Sequence, residues 1–97
     1  MYEETLEFRG LSRSLLLEYL LNITQLTSSS IITNITNEDG SVTIQAEDWV
    51  INLSKEESFS IISTIVIPRV FITFRGDKLK IQEMIQKLKI RTLRTGG

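Results

Sequence analysis

A chain of 97 residues with 41% hydrophobic and 24% charged side chains is large enough for one small globular domain, and its composition is not that of a disordered segment. It has no Cys and no His, which excludes disulfides, thiol nucleophiles, zinc or iron–sulfur ligation by those side chains, and any Ser-His-Asp machinery. The net charge of −1 hides a polarity along the chain: residues 1–68 carry three bases against ten acids, net −7, and residues 69–97 carry eight bases against two, net +6.

Tyr2 to Phe8 alternates, with Tyr2, Leu6 and Phe8 on one side and Glu3, Thr5 and Glu7 on the other, which predicts a half-buried strand. Gly10 breaks it. Ser12 then stands at an N-cap position, flanked by Leu11 and Leu16 as a hydrophobic staple, and a helix is expected from about Ser12 to Ile23. Its apolar residues cover about 240° of the circumference, against about 100° for an ordinary surface helix. The excess arc calls for cover by a curved sheet, a second helix or another subunit.

Thr27 to Ser30 reads as a polar connection, and Ile31 to Asn37 as a strand with Ile31, Thr33 and Ile35 on one side. Asn37-Glu38-Asp39-Gly40 is a turn signal; Val42, Ile44 and Ala46 mark the return strand, and Trp49, Ile51 and Leu53 the next. Lys55 to Ser58 is read as a turn. Phe59 to Ile67 and Val70 to Arg75 are rich in β-branched residues and are read as two strands split by Pro68, which cannot donate to a ladder. Gly76-Asp77 then ends the sheet and caps a conventionally amphipathic helix from about Lys78 to Lys89, with Ile81, Met84, Ile85 and Leu88 inward. The order β-α-β-β-β-β-β-α predicts an α+β fold of two layers, a curved antiparallel sheet with both helices on one face. Residues 1–90 form the single domain in this reading, and residues 91–97 a flexible basic tail.

That tail, Arg91-Thr92-Leu93-Arg94-Thr95-Gly96-Gly97, is the most informative segment. Fully extended, seven residues reach roughly 23 Å, and two glycines let a terminal carboxylate enter a channel too narrow for side chains. A glycine pair also ends chains by chance. The segment resembles the tails of ubiquitin-like proteins and of the small sulfur carriers of molybdopterin and thiamin synthesis, whose terminal glycine is adenylated and then thiocarboxylated or conjugated.

A longer similarity runs through Gly10-Leu11-Ser12-Arg13, Leu20, Trp49-Val50-Ile51, Ile67-Pro68-Arg69, Thr73-Phe74-Arg75-Gly76 and the closing Leu93 to Gly97. Together these resemble the C-terminal domain of MoaD-related proteins of thermophilic bacteria and archaea, a domain that can follow a MoaD-like sulfur-carrier domain. The resemblance implies a TBP-like rather than a β-grasp fold and a connection with molybdopterin biosynthesis. The favoured reading of the sequence is a non-enzymatic accessory or carrier domain in which a partner adenylating or sulfur-transfer enzyme activates the Gly97 carboxylate, Gly96 gives clearance, and Arg91, Arg94, Lys87 and Lys89 meet the partner.

Two other readings stay open. A homodimer would form through the over-apolar first helix or an exposed sheet edge, with the tail inert. Nucleic-acid binding through Lys78, Lys80, Lys87, Lys89, Arg91 and Arg94 is weaker, because stacking platforms are lacking and a basic helix face is usually only solvated. Asp48 beside Trp49 would gain a raised pKa for acid–base work if the indole desolvated it, though Trp49 reads first as a core anchor. Glu56-Glu57 reads as a solvated turn. Neither metal nor cofactor is expected. No stretch approaches 18 apolar residues and no signal-peptide pattern opens the chain, so a soluble cytoplasmic protein is the expectation.

Overall fold

The computed structural model describes residues 1–27 and 33–94. In chain order these form β1 (Tyr2–Arg9), α1 (Arg13–Thr27), β2 (Thr33–Thr36), β3 (Val42–Gln45), β4 (Trp49–Leu53), β5 (Glu57–Ile62), β6 (Ile65–Gly76) and α2 (Lys78–Arg94). The fold is the expected α+β arrangement, and the element order is the one read from the sequence. The strands make one antiparallel sheet in the order β1-β6-β4-β3-β2, with β5 also paired to β6.

Period-two alternation decides which face is covered. Val42 and Ile44 of β3, Trp49, Ile51 and Leu53 of β4, and Val70, Ile72 and Phe74 of β6 are buried under the helices. The intervening Thr43, Asn52, Thr73 and Arg75 lie on the open face, where Thr5 and Thr73 hydroxyls meet at 3.1 Å and the Asn52 amide donates to Thr43 at 3.1 Å. Ile35 of β2 pairs with Thr43 and is exposed on that open side.

Leu16, Leu20 and Ile23 of α1 and Ile81, Met84 and Leu88 of α2 complete a single core, each such side chain contributing about 1.5–3 kcal/mol by leaving water. Leu15, Leu17, Tyr19 and Leu21 pack against its margin. The wide apolar arc of α1 is thus covered in part within the chain, with Leu16, Leu20 and Ile23 buried and the other four partly so. The Ser12 Oγ accepts from the Leu15 N–H at 3.2 Å, as expected of its N-cap, and Glu56 Oε1 accepts from the Arg13 N–H at 2.8 Å.

Three boundaries differ from expectation. The split at Pro68 is not there: β5 and β6 join through Ser63-Thr64, and Pro68 lies inside the twelve-residue β6. Gly10 N–H donates to the Pro68 carbonyl at 2.9 Å, so the Pro68 nitrogen faces the same side, where the ladder to β1 has just ended at Arg9. Its missing donor therefore costs no pairing to β5, and it terminates β1 instead of β6. The Glu56-Glu57 segment is not a mere solvated turn, since Glu56 caps α1 and Glu57 opens β5 in an ion pair with Arg69 at 3.0 Å. Finally α2 does not stop at Lys89 but continues to Arg94, so four of the seven residues read as a flexible tail are helical. The expected connection at Ser28–Ser30, Ile31 of the following strand and the residues Thr95, Gly96 and Gly97 lie outside the described residues.

Candidate functional site

The end of α2 gathers most of the residues expected to meet a partner. Helical spacing puts Lys80, Lys87 and Arg91 along one flank, at i, i+7 and i+11, while Lys89 falls on the opposite flank, towards β1. Lys80 forms an ion pair with Asp48, and Lys87 with Glu83 at 3.1 Å. Arg91 is half-buried, and the next residue, Thr92, is buried with its hydroxyl donating to the Lys89 carbonyl at 3.0 Å. That bond explains how a polar residue continues the buried line of Ile81, Met84, Ile85 and Leu88. Arg94 is the last residue of the helix.

Beside Lys89 runs a groove of about 390 Å³ between α2 and the edge strand β1, lined by Glu4, Gln82, Ile85, Gln86, Ile90 and Leu93. Ile90 and Leu93 are exposed there. On the β1 side the Tyr2 hydroxyl donates to the Glu4 carboxylate, which pushes the phenol pKa up. Lys78 stands over the Tyr2 ring, 5.8 Å from its centre. The sequence reading missed the apolar residues of this groove because lysines and glutamines dominate the outer face of α2. The signal was the spacing of Leu79, Ile90 and Leu93, which falls outside the core arc.

The acid–base reading of Asp48 is overturned. Hydrogen bonding to the Lys80 ammonium, reinforced by its charge, holds the Asp48 carboxyl below the usual carboxylate value, and the same pair raises Lys80. Trp49, with 2% of its surface exposed, is a core residue, and the pair ties the turn before β4 to the first turn of α2. Among the described residues no group of three His, Cys, Asp or Glu side chains comes together to hold a metal ion. No helix among them is long and apolar enough to cross a membrane.

Among the described residues, then, α2 lies on the core as far as the buried Thr92 and ends at Arg94. The model of one family, the archaeal MoaD-like proteins, matches residues 4–97. The chain belongs to this family. The match takes in β1 from Glu4 onward, both helices and the terminal Gly96-Gly97 of this MoaD-like chain. No curated protein matches it.

Proposed function

We propose that this MoaD-like chain is a sulfur-carrier-like accessory domain whose reactive group is the Gly97 carboxylate and whose chemistry is supplied by an adenylating enzyme. The observation that carries the reading is the family match running through the terminal glycines, on a chain in which α2 leads directly to them. The carboxylate attacks the α-phosphorus of ATP held by the partner, releasing pyrophosphate and forming an acyl adenylate. Hydrosulfide delivered by a sulfur donor then displaces AMP, which leaves with the bonding pair, and a thiocarboxylate remains. Nothing in this sequence requires a nucleophile or base from the chain itself, in keeping with its lack of Cys and His.

The helical extension of α2 changes how the partner must approach. Three residues beyond Arg94 span at most about 10 Å, not the roughly 23 Å available to a seven-residue tail. The activating enzyme consequently has to come against the end of α2, where Arg91, Lys87 and Lys89 provide positive charge and Ile90 and Leu93 provide apolar contact. In this reading Arg94 steers the terminus towards the partner and Gly96 gives clearance.

Intact mass spectrometry of the protein from its native host tests the reading. A fraction with one terminal oxygen replaced by sulfur, absent when Gly96 and Gly97 are deleted, is the expected result. Uniform recovery of a bare carboxylate, together with no pyrophosphate release when ATP and the host's adenylating enzymes are added, rejects it.

A further inference from the structure

The turn between β2 and β3, Asn37-Glu38-Asp39-Gly40, contains the one Asp-Gly pair of the chain. An aspartyl residue followed by glycine is the dipeptide most prone to react with its own backbone, because no Cβ shields the glycine nitrogen. The Gly40 nitrogen adds to the Asp39 carboxyl carbon, an N–C bond forms, and the amide proton leaves with the carboxyl hydroxyl as water. The product is a five-membered succinimide. Solvent water then opens the ring at either carbonyl, giving back aspartate or giving isoaspartate, in which the backbone runs through the side chain and is one methylene longer. Glycine is required at this position, since its φ of +88° is a conformation that side chains rarely adopt, so the hazard comes with the turn itself.

Cyclisation needs a free glycine nitrogen, a carboxyl group able to swing onto it, and the neutral carboxyl form. The turn opposes all three. Gly40 N–H donates to the Asn37 carbonyl at 3.0 Å, and the Gly40 carbonyl accepts from the Arg13 guanidinium at the start of α1, so the glycine is pinned on both sides. Asp39 Oδ1 accepts from the Ser41 N–H at 2.9 Å and from the Ser41 hydroxyl at 2.6 Å, which turns the carboxylate towards Ser41. The Asn37 carboxamide donates to Ser41 Oγ at 3.0 Å, leaving the hydroxyl proton for Asp39, and Ser41 is buried. The Ser41 hydroxyl and then its N–H hold the Asp39 carboxyl below its ordinary value. A carboxylate has no hydroxyl to lose as water and is a poor electrophile.

We infer that Asp39 is the chain's site of isoaspartate formation, and that the Asn37–Ser41–Asp39 hydrogen-bond relay, with Gly40 held by Asn37 and Arg13, suppresses that modification while the turn is closed. Once formed, isoaspartate lengthens the turn by one backbone atom, so Gly40 can no longer keep both its bond to Asn37 and its place against Arg13. Arg13 is also the residue whose N–H is capped by Glu56, and damage at the turn therefore reaches the N-terminus of α1 as well as the β2–β3 pairing. The inference concerns the opposite end of the chain's chemistry from Gly97 and stands independently of the carrier reading.

Prolonged warm incubation of the full chain at mildly acidic pH, followed by peptide mapping with isoaspartyl methyltransferase labelling, tests this. Label is expected at residue 39, with Asp48 and Asp77 as internal references that stay unlabelled. Folded wild type should react at least about tenfold more slowly than the same chain unfolded in urea. Ser41→Ala, checked for unchanged circular dichroism, should raise the rate in the folded protein at least about fivefold, the factor that one such hydrogen bond is worth. Arg13→Ala, which frees the Gly40 carbonyl without touching the carboxylate, should also accelerate it. A folded wild type that reacts as fast as the unfolded chain overturns the inference, as does a Ser41→Ala rate equal to that of wild type. If Ser41→Ala loses its fold, the Arg13→Ala rate decides, and no acceleration there rejects the protective role.

Discussion

Gly76 lies directly opposite Trp49 in the β4–β6 ladder, and a Cβ on it would stand 2.6 Å from the Trp49 Cα. Its φ of +139° is a conformation side chains rarely tolerate, and its N-terminal neighbours Phe74 and Arg75 alternate between core and open face. The close approach lets α2 start at once: Asp77 N–H donates to the Asp48 carbonyl at 3.1 Å, and the Asp77 carboxylate accepts from the Lys80 N–H at 3.1 Å. Gly76→Ala adds backbone strain to a steric clash, and we expect it to cost about 2–4 kcal/mol in urea unfolding. Gly10→Ala, with φ +88° but open space where its Cβ would go, should cost only about 1 kcal/mol. Equal costs would mean that the approach to Trp49 is not tight.

The Asp48–Lys80 pair makes a prediction for pH. Asp48 is held below its ordinary value of 3.8, first by the hydrogen bond to Lys80 and then by that residue's charge. Its contribution to stability is therefore present above pH 3.8 and is lost as pH falls through the folded-state pKa. Lys80 is raised above 10.5 by the same bond, so its contribution is complete below that pH and disappears as pH rises through the folded value. Asp48→Asn should lower stability on the neutral plateau and flatten both flanks when urea midpoints are compared below pH 3.8, at neutrality and above pH 10.5. Part of the acid flank should remain, because the Ser41 hydroxyl and N–H hold Asp39 low as well. Unchanged flanks would show that the pair is not formed in solution.

The N-terminus of α1 has two acceptors of different origin, Ser12 from the adjoining chain and Glu56 from the β4–β5 connection. Ser12→Ala should cost about 1 kcal/mol and be nearly insensitive to salt. Glu56→Ala should cost less, with the loss shrinking as salt screens the carboxylate from the helix dipole. Thermal unfolding of both variants at low and high ionic strength separates them; an equal salt response would remove the carboxylate from the cap.

The strands that alternate were legible because their period is an intrinsic property of the chain, as at Tyr2–Phe8 and at Trp49–Leu53. The cap at Ser12 was legible for the same local reason. What could not be read were relations between distant segments. Pro68 looked like a break because proline cannot donate to a ladder, and only the register with Gly10 shows that its nitrogen faces the end of β1. The true turn, Ser63-Thr64, carries no Gly, Asn or Pro to announce it. Asp48 was read against Trp49, its neighbour in sequence, whereas its electrostatics are set by Lys80, thirty-two positions away. The spacing of Lys80, Lys87 and Lys89 lay within the helix read from the sequence, but Arg91 joins the flank of Lys80 and Lys87 only because the helix continues past Lys89.

That continuation can be tested by where the chain is cut. If α2 runs to Arg94 against the core, removing residues 95–97 takes away no contact of the described body and should change unfolding by less than about 0.5 kcal/mol. Ending the chain after Lys89 also removes buried Thr92, half-buried Arg91 and more than a turn of helix, and should cost about 1–2 kcal/mol. Circular dichroism should lose helix only with the second cut. Were both cuts equally harmless, residues 91–94 would not be bound to the body, the domain would end near residue 90, and the longer reach of a seven-residue tail would return, with no need for an activating enzyme to press against Ile90 and Leu93.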